Sequence, residues 1–249
     1  MRPRTFVAPF FASALFAQTA PNAEQLAQQF AKMHDVWGVR TSVPGTTLAI
    51  VQQSQTGDEF RYRLQATGIP ANSVLTLVAW PVTQREPVEV LRGVTFNDMG
   101  FAVCAGRPGT CGDPEKPDDP IDIPFRPVPG EPVRLGVVSQ DGTLKAFAKI
   151  VPLPLQGEDK GCRVSAVLLT AGAELVFVEG TGFVPNSELT MATDSEGEKH
   201  DVKGKVDAQG RYISALLPYK QGLARGIVNI GLKGGACAPT VHVPWGKRQ

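Results

Sequence analysis

Four cysteines, three histidines and one acidic, proline-rich run hold most of the side chains here that can do chemistry. Cys104, Cys111, Cys162 and Cys237 form an even set, and in a chain that opens like an export signal such a set reads as two disulfides. Three connectivities satisfy the count. Spacing favours Cys104–Cys111, a local clip across six residues that include Gly and Pro, with Cys162–Cys237 as a staple across a long loop. Closing such a loop is worth roughly 2–4 kcal/mol. Four buried free thiols are the alternative.

From Cys104 through Pro132 the chain holds eight prolines and the acids Asp113, Glu115, Asp118, Asp119 and Asp122. Hard cations take several carboxylate and carbonyl oxygens, so these five acids are calcium-ligand candidates. The spacing lacks the Asp-x-Asp-x-Asp-Gly register of an EF-hand loop and Lys116 interrupts it, which favours a solvated acidic loop. Long irregular insertions in compact domains are often functional, so 104–132 is the first place to look for a site.

His34, His200 and His242 are scattered over one expected helix and two expected strands. His200 beside Asp201 imitates a base and its orienting carboxylate, yet neighbours on a strand point to opposite faces. A zinc site needs three or four convergent ligands. The chain has no Gly-x-Ser-x-Gly elbow, His-Glu-x-x-His helix, Walker loop, dinucleotide fingerprint or Cys-x-x-Cys pair. The expectation is therefore no catalytic residue, no metal and no cofactor. Trp80 and Trp245 each end or follow a strand beside a proline; such rings stack on sugars when exposed, but large rings more often bury their area in a core or a junction.

The elements that hold these residues follow from composition and pattern. The 249-residue chain has 25 Lys plus Arg against 24 Asp plus Glu, with no basic stripe, so nucleic acid and anionic membrane surfaces are not expected partners. Arg2 and Arg4 precede the apolar run Thr5–Ala17, which reads as a signal peptide over 1–17, with cleavage as late as 20. A membrane span needs about 20 apolar residues, and no run reaches that length. The product is expected to be exported, in the periplasm or outside the cell. From Asn22 to Gly38 the residues Leu26, Phe30, Met33 and Trp37 share one helical face, opened by an Asn22 cap and closed by Gly38. That stripe either packs on the domain that follows or docks on a partner.

The remainder repeats itself. Thr67-Gly-Ile-Pro-Ala-Asn-Ser73 recurs 114 positions later as Thr181-Gly-Phe-Val-Pro-Asn-Ser187, and Leu-Thr follows both copies at one offset. Asn97-Asp-Met-Gly100 and Asp207-Ala-Gln-Gly210 are matching turns. With 21 prolines and 26 glycines, the pattern is short strands joined by tight turns. Seven strands per copy predict an all-β chain of two tandem immunoglobulin-like antiparallel sandwiches, over 43–155 and 161–246, joined by a stiff link at 156–160.

Glu179-Gly-Thr-Gly-Phe183, Pro185-Asn-Ser187 and the strand that follows resemble the entry motif of bacterial immunoglobulin-like domains of the IPT/TIG type. The resemblance spans about 85 residues in the second copy and is fainter in the first; Asp194-Ser-Glu-Gly197 stands where the family pattern continues into another glycine-rich turn. It implies a spacer, adhesion or accessory module of an envelope or secreted protein, and no catalytic residues. Protein or surface-glycan partners are implied. A calcium- or carbohydrate-dependent adhesin using 104–132 is the first rival, and a hydrolase assembled without a linear motif the second.

Overall fold

The computed structural model describes residues 42–246, apart from 71, 83, 85–86 and 106–118. The expected signal, the helix 22–38 with Leu26, Phe30, Met33 and Trp37, His34, Cys111, Asp113, Glu115 and Asp118 lie outside the described residues.

The first half forms β1 (Thr47–Thr56), β2 (Glu59–Thr67), β3 (Leu75–Ala79), β4 (Val88–Phe96), β5 (Ala102–Cys104), β6 (Ile123–Phe125), β7 (Val133–Ser139) and β8 (Lys145–Ile150). They make a three-stranded sheet, β1-β2-β6, and a five-stranded one, β5-β4-β3-β7-β8. The second half forms β9 (Leu155–Asp159), β10 (Cys162–Leu168), β11 (Val176–Thr181), β12 (Glu188–Ser195), β13 (Glu198–Lys205), β14 (Tyr212–Leu216), β15 (Arg225–Lys233) and β16 (Thr240–Gly246). Its sheets run β14-β11-β10-β9 and β13-β12-β15-β16. Pairing is antiparallel throughout, and no α-helix occurs among the described residues.

Alternation drives the assembly. On β2, Phe60, Tyr62, Leu64 and Ala66 turn inward; on β10, Cys162, Val164, Ala166 and Leu168 do the same. A period of two gives each sheet one apolar face, and that face must meet another. Leu64 and Ile123 from one sheet pack with Leu75, Leu77, Val94 and Leu135 from the other. In the second half Val164 and Val178 meet Leu189, Ile230 and Val243. Each half is thus a two-sheet sandwich with its own core.

The sequence repeat is a repeat of geometry. Gly68 and Gly182 take φ of 72° and 80°, in the region that favours glycine. A Cβ on Gly68 would lie 2.0 Å from the Gly45 carbonyl oxygen, and one on Gly182 would lie 2.4 Å from that of Gly161. Asn72 and Asn186 follow in the left-handed region at 67° and 59°. Ser73 Oγ then donates to the Pro70 carbonyl at 2.8 Å, and Ser187 Oγ to that of Val184 at 2.7 Å. The second pair of turns matches as well: Asn97 Oδ1 accepts from Met99 and Phe101 N–H, and Asp207 Oδ1 from Gln209 and Arg211 N–H. β13-β12-β15-β16 therefore reproduces the order β4-β3-β7-β8, and β10-β11 reproduces β1-β2.

The halves differ after the second turn. In the second half β14 pairs directly with β11. In the first, the chain meets β2 through the single Gln65–Phe101 bridge and a Gln65 side-chain bond to Met99, then crosses as β5 to pair with β4. The place beside β2 goes to β6, from the end of the 104–132 insertion. Eight strands per half replace the expected seven. β6 escapes a sequence reading because it is three residues long with Pro124 in its centre, which only an edge strand tolerates.

The expected link at 156–160 is instead part of β9 and its hairpin turn, paired with β10 from Asp159↔Cys162 to Leu155↔Ala166. Leu-Gln-Gly-Glu-Asp is too polar to signal a strand, and its glycine has a steric cause: a Cβ on Gly157 would lie 1.8 Å from the Thr240 carbonyl oxygen on β16.

Candidate functional site

Cys162 and Cys237 form a disulfide with their Cα atoms 6.0 Å apart, tying the start of β10 to the turn between β15 and β16. Cys104, at the end of β5, is also disulfide-bonded; Cys111, its expected partner, lies outside the described residues. Of the acids in the insertion, Asp119 is exposed and Asp122 is engaged by Arg63, whose Nε donates to Oδ1 at 2.7 Å, a contact that pins β6. Among the described residues, no three His, Cys, Asp or Glu side chains converge as a metal site would require.

His200 Nε2 hydrogen-bonds Glu198 at 3.0 Å, while Asp201 pairs with Ala192 on the opposite face of β13. His242 Nδ1 meets Asn229 Oδ1 across β15 and β16. The structure therefore does not bring His200 and Asp201 together. Trp80 is half-buried, with its Nε1 donating to the Gln84 carbonyl at 2.8 Å and the Arg134 guanidinium 5.7 Å from its ring centroid. Burial pulls the Arg134 guanidinium below its ordinary range, partly offset by the nearby Glu131 charge. Trp245 is buried in the second core.

A deep concavity among the described residues lies elsewhere, at the open side of the second sandwich. The two sheets meet closely along β9 and β16, where Gly157 faces Thr240. On the other side the edges are β13 and β14. At one end Tyr212 wedges against Gly204, whose Cβ would lie 2.3 Å from the ring, and burial pushes the Tyr212 phenol upward. Away from that wedge the edges separate. Register places Val202, His200 and Glu198 opposite Met191, Thr193 and Ser195, so the inward row of β13 faces a gap rather than a partner sheet. Cross-strand partners share a face, and every residue of β13 except Gly204 is accordingly exposed.

The resulting cleft has a volume of about 1140 Å³. Its floor is the inner face of β12 and β13, and its far wall is Ala215–Tyr219 with Leu223 and Ala224. One end is Trp245, whose ring tilts against Tyr219 at 6.4 Å between centroids. Leu217, Tyr219 and Leu223 are 70%, 64% and 41% exposed, an apolar cluster kept in water. Among the described residues, Glu131, Glu174, Glu198 and His200 supply the charged lining, with no Lys or Arg beside them. Ser195 Oγ and Trp245 Nε1 are buried without a hydrogen-bond partner at this same end, where unpaired polar atoms cost about 1–3 kcal/mol each. Packing here is unfinished by the chain itself.

Sequence reasoning missed the cleft. The one signal was Leu216-Leu217-Pro218-Tyr219, an apolar run that outlasts its strand and that solvent should not favour.

No family model matches the sequence, and no curated protein matches it. Among solved structures, the tetra-tandem repeat in the extending region of a large adhesion protein is 16% identical, over 80% of this chain and 48% of that one, with a TM-score of 0.27. A 1.5-MDa bacterial ice-binding adhesin, studied for host cell surface retention, is 13% identical over 80% of this chain and 63% of that one, with a TM-score of 0.21. The chain spans about half the length of the first and less than two thirds of the second. At these values its own geometry is the basis for any assignment.

Proposed function

We propose that the chain is a non-catalytic spacer and binding element of an exported protein, built from two immunoglobulin-like modules of IPT/TIG type that divide at 151–154. The observation that carries this reading is the junction. Gly130, on the turn before β7, donates its N–H to the Leu153 carbonyl at 2.8 Å, and its carbonyl accepts from Leu168 N–H at 2.9 Å. It fits between Leu155 and Leu168, where a Cβ would lie 2.6 Å from Leu155 Cδ1. The first module thus hydrogen-bonds into the second instead of hanging from a free tether, which suits a part that holds other parts at a set distance. Export is supported by the disulfides, which persist in oxidising compartments.

Single-molecule stretching between the two ends tests this. A spacer unfolds in two discrete events. The Cys162–Cys237 bond locks 75 residues of the second, so reduction lengthens that event by about 25 nm at roughly 3.3–3.6 Å per residue. A smooth, low-force extension without discrete events would remove the spacer role.

A further inference from the structure

We propose that the cleft between β13 and β14 binds an apolar cation: a small molecule with aromatic or aliphatic bulk carrying one positive charge. Size permits it, since pockets for such ligands span about 300–1,000 Å³ and this one reaches that scale. The interior is apolar where the bulk would sit, against Met191, Val202, Leu216 and Val228. At one end stands the exposed Tyr219 ring, backed by the buried Trp245 ring, and aromatic rings attract cations.

The sign of the charge comes from the rim. Among the described residues that line the cleft, the side chains able to carry charge near neutral pH are carboxylates and one histidine. Glu131 is offset by Arg134, which leaves Glu174 and Glu198 as the exposed carboxylates over the mouth. An anion entering here meets no Lys or Arg among the described lining residues. A cation meets two carboxylates and an aromatic end wall, in a concavity whose low-dielectric sides strengthen the attraction. Covering Leu217, Tyr219 and Leu223 supplies the favourable burial. The site stands independently of the spacer role in what it is tested on, because Glu174, Glu198 and Val202 make none of the Gly130 junction contacts.

Isothermal titration of the full chain with tetraphenylphosphonium, and with tetraphenylborate as its anionic isostere, tests the proposal. The phosphonium binds and the borate does not. The double variant Glu174→Gln/Glu198→Gln, both on exposed positions, weakens phosphonium binding about fivefold, the scale of two partly exposed charge contacts. Val202→Arg, at a position 40% exposed in the mouth, abolishes it while the far-ultraviolet spectrum is unchanged. No phosphonium heat up to about 1 mM would overturn the proposal, since that sets affinity below about 4 kcal/mol. Equal binding of the borate, binding indifferent to both variants, or a homodimer on size exclusion that closes the cleft would overturn it as well.

Discussion

Replacing Gly182 with alanine should destabilise the second module by about 3 kcal/mol, and the same change at Gly68 should do likewise in the first. Two terms make up the figure. A left-handed φ costs an L-residue about 1 kcal/mol or slightly more, and both glycines occupy that region at 80° and 72°. The new methyl must also push back a carbonyl oxygen 2.4 Å away in one case and 2.0 Å in the other. Those oxygens belong to the backbone of Gly161 and Gly45, so relief moves a strand entry, at a cost of about 1–3 kcal/mol. Gly57 is the control, because its φ is 60° but a Cβ there meets nothing within 4 Å. Gly57→Ala should therefore cost no more than about 1 kcal/mol. Urea unfolding gives the magnitudes, and amide exchange by mass spectrometry gives the place: Gly68→Ala should loosen β1–β8 and Gly182→Ala β9–β16. Equal costs at all three glycines would refute the reasoning, for then the close carbonyl contacts do nothing.

Three other contacts set outcomes of their own. Removing the staple with Cys162→Ala/Cys237→Ala should cost the second module up to about 4.5 kcal/mol, the loop-entropy value for a closed loop of 75 residues, read from urea midpoints. The Asp141 carboxyl, hydrogen-bonded by Ser139 and by Thr143, is held down at about 2 from its ordinary 3.8. Its folded value lies below its unfolded one, so its stabilising contribution is complete above pH 4 and is lost as pH falls toward 2. Carbon-13 titration should find that midpoint, and Asp141→Asn should flatten stability across that window; a midpoint near 3.8 would contradict the contact. Asp122→Asn, breaking the partly exposed pair with Arg63, should lower stability by about 0.5–1 kcal/mol and free the backbone amides of β6 to exchange.

Much of this fold was written in local pattern. The motif around Gly68 and Gly182 shows in the sequence because each turn uses a backbone shape only glycine takes easily, so the same letters recur wherever the shape does. Leu75 and Leu77, like Leu189 and Met191, alternate with residues of the other face, and the core they predict is present. Cys162 and Cys237 bracket one module, and they pair. What escaped reading depends on partners distant in sequence. β9 is a strand because β10 offers it an edge, and β6 because β2 does. The cleft is harder still: Val202, His200 and Glu198 face inward only through their register with β12, and the gap exists because the sheets splay beyond Tyr212. No window of residues encodes a separation between sheets.

The claim at the centre is that two like sandwiches are locked together through Gly130. Residual dipolar couplings measured on the full chain in weak alignment test it most directly. One alignment tensor should fit the amides of β1–β8 and β9–β16 together, and Gly130→Val should split it in two. Two separate tensors in the unaltered protein would contradict the account.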